Sequence, residues 1–248
     1  MGEGPRMDVP TRFPPHETAW FFDIDGTLAE MMPAPEMVQV GPEVTERLTM
    51  LFGISQGALA IVSGRALASI DALLAPLVLP ASGQHGAQRR AADGAVREAG
   101  AATASLAVAR QRIAAWVGDS PSIRAEDKGH AIAIHYRAAP EFADAVRGFA
   151  RDLADADHNL RAQPGKMVVE ILDAAHDKGA AIRTFLAEPP FRGRRPVFIG
   201  DDLGDEPGFE AVNRAGGVSI KVGDGPTAAQ YRLPDVHAVH AWLAALVA

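Results

Sequence analysis

Apolar and polar positions follow two different rhythms along this chain. The first ordered run, Trp20-Phe21-Phe22-Asp23-Ile24-Asp25-Gly26-Thr27, is aromatic and then acidic. It predicts a buried strand that delivers carboxylates at its C-terminal tip. Pro33, Pro35 and Pro42 mark a loop, and Val44, Leu48 and Leu51 give residues 42–52 a helical spacing. Residues 58–62 (ALAIV) predict a second buried strand, stopped by Ser63-Gly64-Arg65. Residues 66–74 follow as a helix, 77–80 as a third strand, and 82–86 as a loop beyond it. Strands alternating with helices predict a parallel sheet wrapped by helices.

Near residue 100 the rhythm changes. Residues 103–116 carry an apolar helical stripe. Residues 122–127 and 130–137 alternate in polarity and are split by Lys128-Gly129, which predicts a hairpin. Residues 140–154 read as a helix, and 159–163 with 166–171 as a second hairpin about Pro164-Gly165. After Asp173 the first rhythm returns: helix 178–186, strand 196–199, turn 200–205, helix 207–214, strand 218–222 and a C-terminal helix. The expected organisation is therefore a flexible N-terminal arm over 1–18, with four prolines and little to bury. A Rossmann-like α/β core follows, 19–99 with 173–248, interrupted by an α+β domain at 100–172.

Composition narrows the function. The 248 residues are 48% hydrophobic and 22% charged, ordinary values for a globular protein, which excludes a mostly disordered chain. Lys and Arg total 24 against 31 Asp and Glu, a net charge of −7, which argues against a nucleic-acid partner. Cysteine is absent, so disulfide frameworks, thiol catalysis, iron–sulfur clusters and zinc ribbons are excluded. The longest apolar region, 66–81, is broken by Asp71 and Pro76, far short of the ~20 residues of a membrane span. The N-terminal residues lack the apolar stretch of a signal peptide. A cytoplasmic protein with no membrane partner is expected. Only Lys128, Lys166, Lys178 and Lys221 are lysines, against twenty arginines, which makes each lysine worth attention.

Several polar tips fall at strand ends. Asp23 and Asp25 end the first strand, Ser63 ends the second, and Asp201, Asp202 and Asp205 follow the strand before Gly200. Ligands of open α/β sheets bind outside the carboxyl ends of the strands, where the winding order switches. Crowded carboxylates there call for a cation. With only oxygen donors and a few carboxylates, Mg²⁺ beside a phosphate is the expected match. Lys178, opening the helix after the insertion, supplies a second positive charge. Taken singly, Ser63 reads as a turn or cap residue, Lys178 as a surface residue, and the later aspartates as a turn. Their joint order, each after an apolar strand, carries the reading.

The runs Phe22-Asp23-Ile24-Asp25-Gly26-Thr27-Leu28, Ser63, Lys178 and Gly200-Asp201-Asp202 resemble the four motifs of the haloacid-dehalogenase (HAD) phosphatase superfamily, and the insertion resembles its type 2 cap. Further runs narrow the resemblance. Ile61-Val62-Ser63-Gly64-Arg65, His85-Gly86, Glu126-Asp127-Lys128, His135-Tyr136-Arg137, Gly165-Lys166 to Val169-Glu170, Asp177-Lys178-Gly179 and Gly200-Asp201-Asp202-Leu203-Gly204-Asp205-Glu206 resemble trehalose-6-phosphate phosphatases. The resemblance implies Asp23 as nucleophile and Asp25 as proton donor and then acceptor. Ser63 and Lys178 would hold the phosphoryl oxygens. Mg²⁺ would be held by Asp23, Asp201 and the Asp25 carbonyl, with Asp202 and Asp205 behind them. It implies substrate contacts from Gly64, Arg65, His85, Gly86, Glu126, Lys128, Arg137, Lys166 and Glu170, with closure of cap on core excluding water. A sugar-phosphate substrate and a functional pairing with a trehalose-phosphate synthase go with it, and a monomer is expected. Gly204 stands where the family has Thr, and Gln84 where an apolar residue is common.

Other readings stand beside this one. The core motifs equally suit phosphatases of sucrose phosphate, a mannosyl-glycerate phosphate or a monosaccharide phosphate. A phosphomutase fits less well, because of where the cap is inserted. A non-catalytic sugar-phosphate-binding regulatory subunit should lack an Asp or the Lys, and none is missing. Glu126/Lys128 and Lys166/Glu170, two and four residues apart, share strand faces and would equally serve as cross-strand ion pairs on a solvated sheet.

Overall fold

The computed structural model describes residues 5–98, 104–118, 120–165 and 167–248. The chain divides into two compact units. One comprises the chain up to Arg97 together with Asp177–Ala248; the other is Glu98–His176.

The first unit is built on strands β1 (Thr18–Phe22), β2 (Leu59–Val62), β3 (Ala81–Gly83), β4 (Gln88–Arg90) and β5 (Val96–Glu98). After the second unit come β10 (Arg195–Gly200), β11 (Val218–Val222) and β12 (Tyr231–Leu233). They lie in the order β12-β11-β10-β1-β2-β3-β4-β5. Every pairing from β12 to β3 is parallel, and β4 turns back antiparallel on β3. Helices α1 (Pro42–Ile54), α2 (Leu67–Leu74) and α7 (Val236–Val247) share a core with Trp20, Phe22, Leu59, Ile61, Val197 and Ile199. Helices α5 (Lys178–Leu186) and α6 (Glu206–Arg214) share another with Ala19, Phe21, Ala60, Val62 and Phe198. Alternate residues of β1, β2 and β10 thus enter opposite cores. A sheet buried on both faces explains why these strands read as continuous apolar runs. This is the α/β class expected for the core, with a mostly parallel sheet.

Three features depart from the expectation. The third strand is Ala81–Gly83, after residues 77–80 rather than within them. Large side chains drew the reading to Leu77 and Leu79, but the paired segment is small because it runs against a crowded loop. A Cβ on Gly83 would stand 2.6 Å from the Arg65 carbonyl oxygen. The three-residue strands β4, β5 and β12 have too few positions to show a period.

The arm is the third difference, because its described part is fastened to the core. Phe13 packs edge-on against Trp20 and Trp242, at centroid distances of 5.1 and 6.4 Å. The Trp242 indole donates to the Pro10 carbonyl at 2.7 Å. Arg6 joins the sheet edge beside Tyr231, its N–H donating to Gln230 O and its carbonyl accepting from the Arg232 N–H. Prolines preset an extended arm, so little entropy is lost when a few apolar side chains and backbone bonds dock it.

The second unit has helices α3 (Ala104–Val117) and α4 (Ala143–Ala156) and strands β6 (Arg124–Asp127), β7 (Ala131–His135), β8 (Leu160–Gly165) and β9 (Val168–Asp173). The expected hairpins are joined through β7 and β9 into one antiparallel sheet, β6-β7-β9-β8. Ile132, Ile134, Val169 and Ile171 form its core with Leu106, Ile113, Val146 and Leu153 of the helices. The opposite face carries polar side chains among small and apolar ones: one cross-strand row runs Glu126, Ala133, Glu170, Gln163. Among the described residues no helix is long and apolar enough to cross a membrane.

Candidate active site

Strand β1 lies between β2 and β10, with Phe22 opposite Ile61 on one side and Ile199 on the other. The residues just beyond, Asp23, Ser63 and Asp201, therefore reach one edge of the sheet, at its switch in winding order. The Asp23 N–H donates to the Ile199 carbonyl at 3.0 Å and the Ser63 N–H to the Ser82 carbonyl at 2.9 Å, so β1 and β2 stay anchored through these tips. After Asp23 the chain turns at once, with Leu28 and Ala29 N–H groups both returning to the Ile24 carbonyl. Gly26 makes this turn with φ +76, and a Cβ there would stand 2.1 Å from an Asp201 carboxylate oxygen. The close approach of the first and last motifs thus requires glycine.

Lys178 opens α5, whose N-cap Asp177 accepts from the Ala180 N–H. Its buried ammonium sits 2.9 Å from Asp23 Oδ1 and 2.6 Å from Asp205 Oδ1. Burial opposes the lysine's charge, but Asp205, Asp23 and Asp202 outweigh it, so the ammonium is held well above the ordinary lysine range. Asp205 is fully engaged. Its other oxygen accepts from the Asp201 and Asp202 N–H groups at 2.9 and 3.0 Å, so it shapes the turn that presents Asp201. Lys221, from β11, donates to the Asp201 carbonyl from the far side. Asp202 is exposed and caps the same turn through the Gly204 N–H at 2.8 Å.

Asp23, Asp201 and Asp205 each offer an oxygen within 4.8 Å of the others. Burial raises Asp23 to about 7, with Asp201 and Asp202 adding repulsion and Lys178 acting against it. Burial also raises Asp201 to about 7, reinforced by Asp205 and Asp202. Two carboxyls this reluctant to ionise at neutral pH, with oxygen donors only, form a site that a hard cation completes. Asp205 already spends both oxygens on N–H donors, which leaves Asp23 and Asp201 as the side chains fitted to hold the ion.

The remaining expected residues divide between the two units. In the first, the Arg65 fork holds Asp25 by two bonds of 2.7 Å. His85 is buried, with φ +57, in a short turn whose Gln84 N–H donates to the Arg65 carbonyl. Its ring lies against Gly64, where a Cβ would come within 2.8 Å of it. Gly86 continues the left-handed stretch with φ +112. The second unit holds the others. Lys128 pairs with Glu170 at 2.6 Å and Glu126 with His135 at 2.7 Å, and Arg137 is exposed just past β7. Lys166 lies outside the described residues. The sequence reading did not assign Lys221, His135 or Gln163. Rarity marks Lys221, and two-residue spacing from Ala133 marks His135, but Gln163 carries no such signal.

The trehalose-phosphatase family model matches residues 21–237. Trehalose-6-phosphate phosphatase of Escherichia coli (strain K12) is 43% identical over 225 residues, which cover 91% of this chain and 85% of the relative. A probable trehalose-phosphate phosphatase of Sinorhizobium fredii (strain NBRC 101917 / NGR234) is 41% identical over 233 residues, covering 92% and 87%. The solved C-terminal domain of C. albicans trehalose-6-phosphate phosphatase superposes with a TM-score of 0.83 at 20% identity, covering 94% of this chain and 92% of that one, a likeness of fold. The matched stretch contains every acidic tip, the buried lysine and the polar sheet described above, and by it the chain belongs to the trehalose-phosphatase family.

Proposed function

We propose that this protein hydrolyses trehalose 6-phosphate to trehalose and phosphate. The observation that carries the reading is the buried Asp23–Lys178–Asp205 cluster at the sheet's switch point, in a chain 43% identical to a trehalose-6-phosphate phosphatase. Asp23 attacks phosphorus and the sugar oxygen leaves, giving an aspartyl phosphate. Water then attacks that phosphorus and releases phosphate, which divides one hard displacement into two easier ones. Asp25 gives its proton to the departing sugar oxygen in the first step and takes one from water in the second. The Lys178 ammonium and the Ser63 hydroxyl bind the phosphoryl oxygens as charge builds on them. Asp23, Asp201 and the Asp25 carbonyl would hold Mg²⁺, which when bound neutralises phosphate charge.

Recognition of the sugar falls to the second unit. Carboxylates accept from sugar hydroxyls, and ammonium and guanidinium groups donate to them. Glu126, Lys128, Glu170, Arg137 and Lys166 offer both kinds of group, and the Lys128–Glu170 and Glu126–His135 pairs exchange for sugar contacts. Gly64, His85 and Gly86 are further residues proposed to touch the substrate. The reading includes a cytoplasmic location, a monomer, and action on the product of a trehalose-phosphate synthase. Its test is Asp23→Asn, which keeps the shape and removes the attacking oxygen. Phosphate release should fall to background while trehalose 6-phosphate still binds. Retention of most activity, with reversion to Asp excluded by mass spectrometry, would show that Asp23 is not the nucleophile.

A further inference from the structure

Arg65 is expected from the resemblance to touch substrate, but its side chain is spent on the protein. Nε and Nη2 each donate to one Asp25 oxygen at 2.7 Å. Nη2 also donates to the Pro35 carbonyl at 3.1 Å, and Nη1 to Ser69 Oγ at 3.2 Å. Four of the five guanidinium N–H donors are thus engaged. The backbone is fixed as firmly, its N–H on Ser63 Oγ at 3.2 Å and its carbonyl accepting from Gln84 at 2.9 Å. Only 11% of the Arg65 side chain is exposed, against 29% for Asp25. The strut is buried and the acid it holds reaches solvent.

Asp25 needs such a strut. It is three residues past the end of β1, on a turn, and its carboxylate has no other side-chain partner among the described residues. A two-bond fork fixes both the position and the plane of a carboxylate, which one point charge does not. About two of its four lone-pair sites remain for proton transfer.

We infer that Arg65 is a positioning residue that acts through Asp25, and that substrate does not displace it. This rests on the role proposed for Asp25 above. The Asp25 proton moves to the bridging oxygen as the phosphorus–oxygen bond breaks, and Asp25 recovers a proton from the attacking water. Arg65 keeps its own protons throughout.

Leaving groups separate this role from phosphate binding. The sugar alkoxide needs a proton to depart, whereas p-nitrophenolate leaves without one. Because kcat/KM covers steps only up to the first irreversible one, the comparison reads the departure step. Arg65→Ala should lower kcat/KM for trehalose 6-phosphate roughly 10- to 100-fold more than for p-nitrophenyl phosphate. Arg65→Lys, which keeps the charge but not the fork, should show the same selectivity in smaller measure. In an Asp25→Asn background Arg65→Ala should add less than about a twofold loss, since its partner is already gone. Melting curves identify any variant that fails to fold, and Ser69→Ala, which loosens the fork with Arg65 and Asp25 intact, then provides the selective readout. Equal losses with both substrates, a rise in KM alone, or the full Arg65→Ala loss in the Asp25→Asn background would overturn the inference. Failure of the underlying reading looks different: the unsubstituted protein would not turn over trehalose 6-phosphate, or Asp25→Asn would match it.

Discussion

Lys178 sits between two carboxylates, 2.9 Å from Asp23 and 2.6 Å from Asp205, with almost no solvent contact. Its removal leaves buried acids uncompensated, at a cost of about 3 kcal/mol in stability. Lys178→Ala should also damage hydrolysis of trehalose 6-phosphate and p-nitrophenyl phosphate alike, because both carry the phosphoryl group that Lys178 is proposed to bind. Glu126→Ala and Lys128→Ala should behave differently. On the proposed reading each loses one charge-assisted hydrogen bond to the sugar, about 1.5–3 kcal/mol, or roughly 10- to 150-fold in kcat/KM, with trehalose 6-phosphate only. Initial rates with the two substrates check both expectations; equal damage from the Glu126 and Lys128 variants would deny them a sugar contact. The acidic tips were legible in the sequence because each follows an apolar strand at a turn. Their partners were not. That Asp205 turns back to its own loop and Lys178, and that Arg65 faces Asp25, depends on side chains meeting across strands far apart in the chain.

At the scale of elements, legibility followed length and burial. β1, β2 and β10 announced themselves as apolar runs, because both of their faces are covered. β3 was misplaced because its residues are small where β2 and the Arg65 loop crowd it. The docking of the arm is hidden in the sequence because prolines and charges mask the contribution of one aromatic ring. Phe13 meets two tryptophans and Pro10 accepts the Trp242 indole N–H. Deletion of residues 1–17 should therefore cost about 2–4 kcal/mol, from lost aromatic packing and a buried donor left unmade. Calorimetric melting checks this. An unchanged melting temperature would mean that the arm contributes nothing to the body it lies on.

At the scale of the whole molecule, the site weakens the fold that carries it. Asp23 and Asp201 are raised to about 7 in the folded chain, against an ordinary aspartate value of about 4 when unfolded. The folded state then holds protons that the unfolded state releases. The stability this contributes is complete below about pH 4 and is lost as pH rises through about 7. Metal-free protein should accordingly lose on the order of a few kcal/mol between those limits, and Mg²⁺ should raise the melting temperature far more at pH 8 than at pH 5. A metal-free melting temperature that rises over this range, or a Mg²⁺ effect indifferent to pH, would contradict it. The alternation of an α/β rhythm with an α+β insertion was visible in the chain because helical and strand periods differ over long segments.

The proposed selectivity for trehalose 6-phosphate is assigned to the polar side chains of the second unit, and a panel of sugar phosphates tests it most directly. Phosphate release would be followed with Mg²⁺, and again in excess chelator, for trehalose 6-phosphate, sucrose phosphate, a mannosyl-glycerate phosphate and glucose 6-phosphate. The account predicts a kcat/KM for trehalose 6-phosphate at least about 100-fold above the others, the worth of two lost hydrogen bonds, and its loss on chelation. Comparable rates across the panel, or another sugar phosphate preferred, would contradict it.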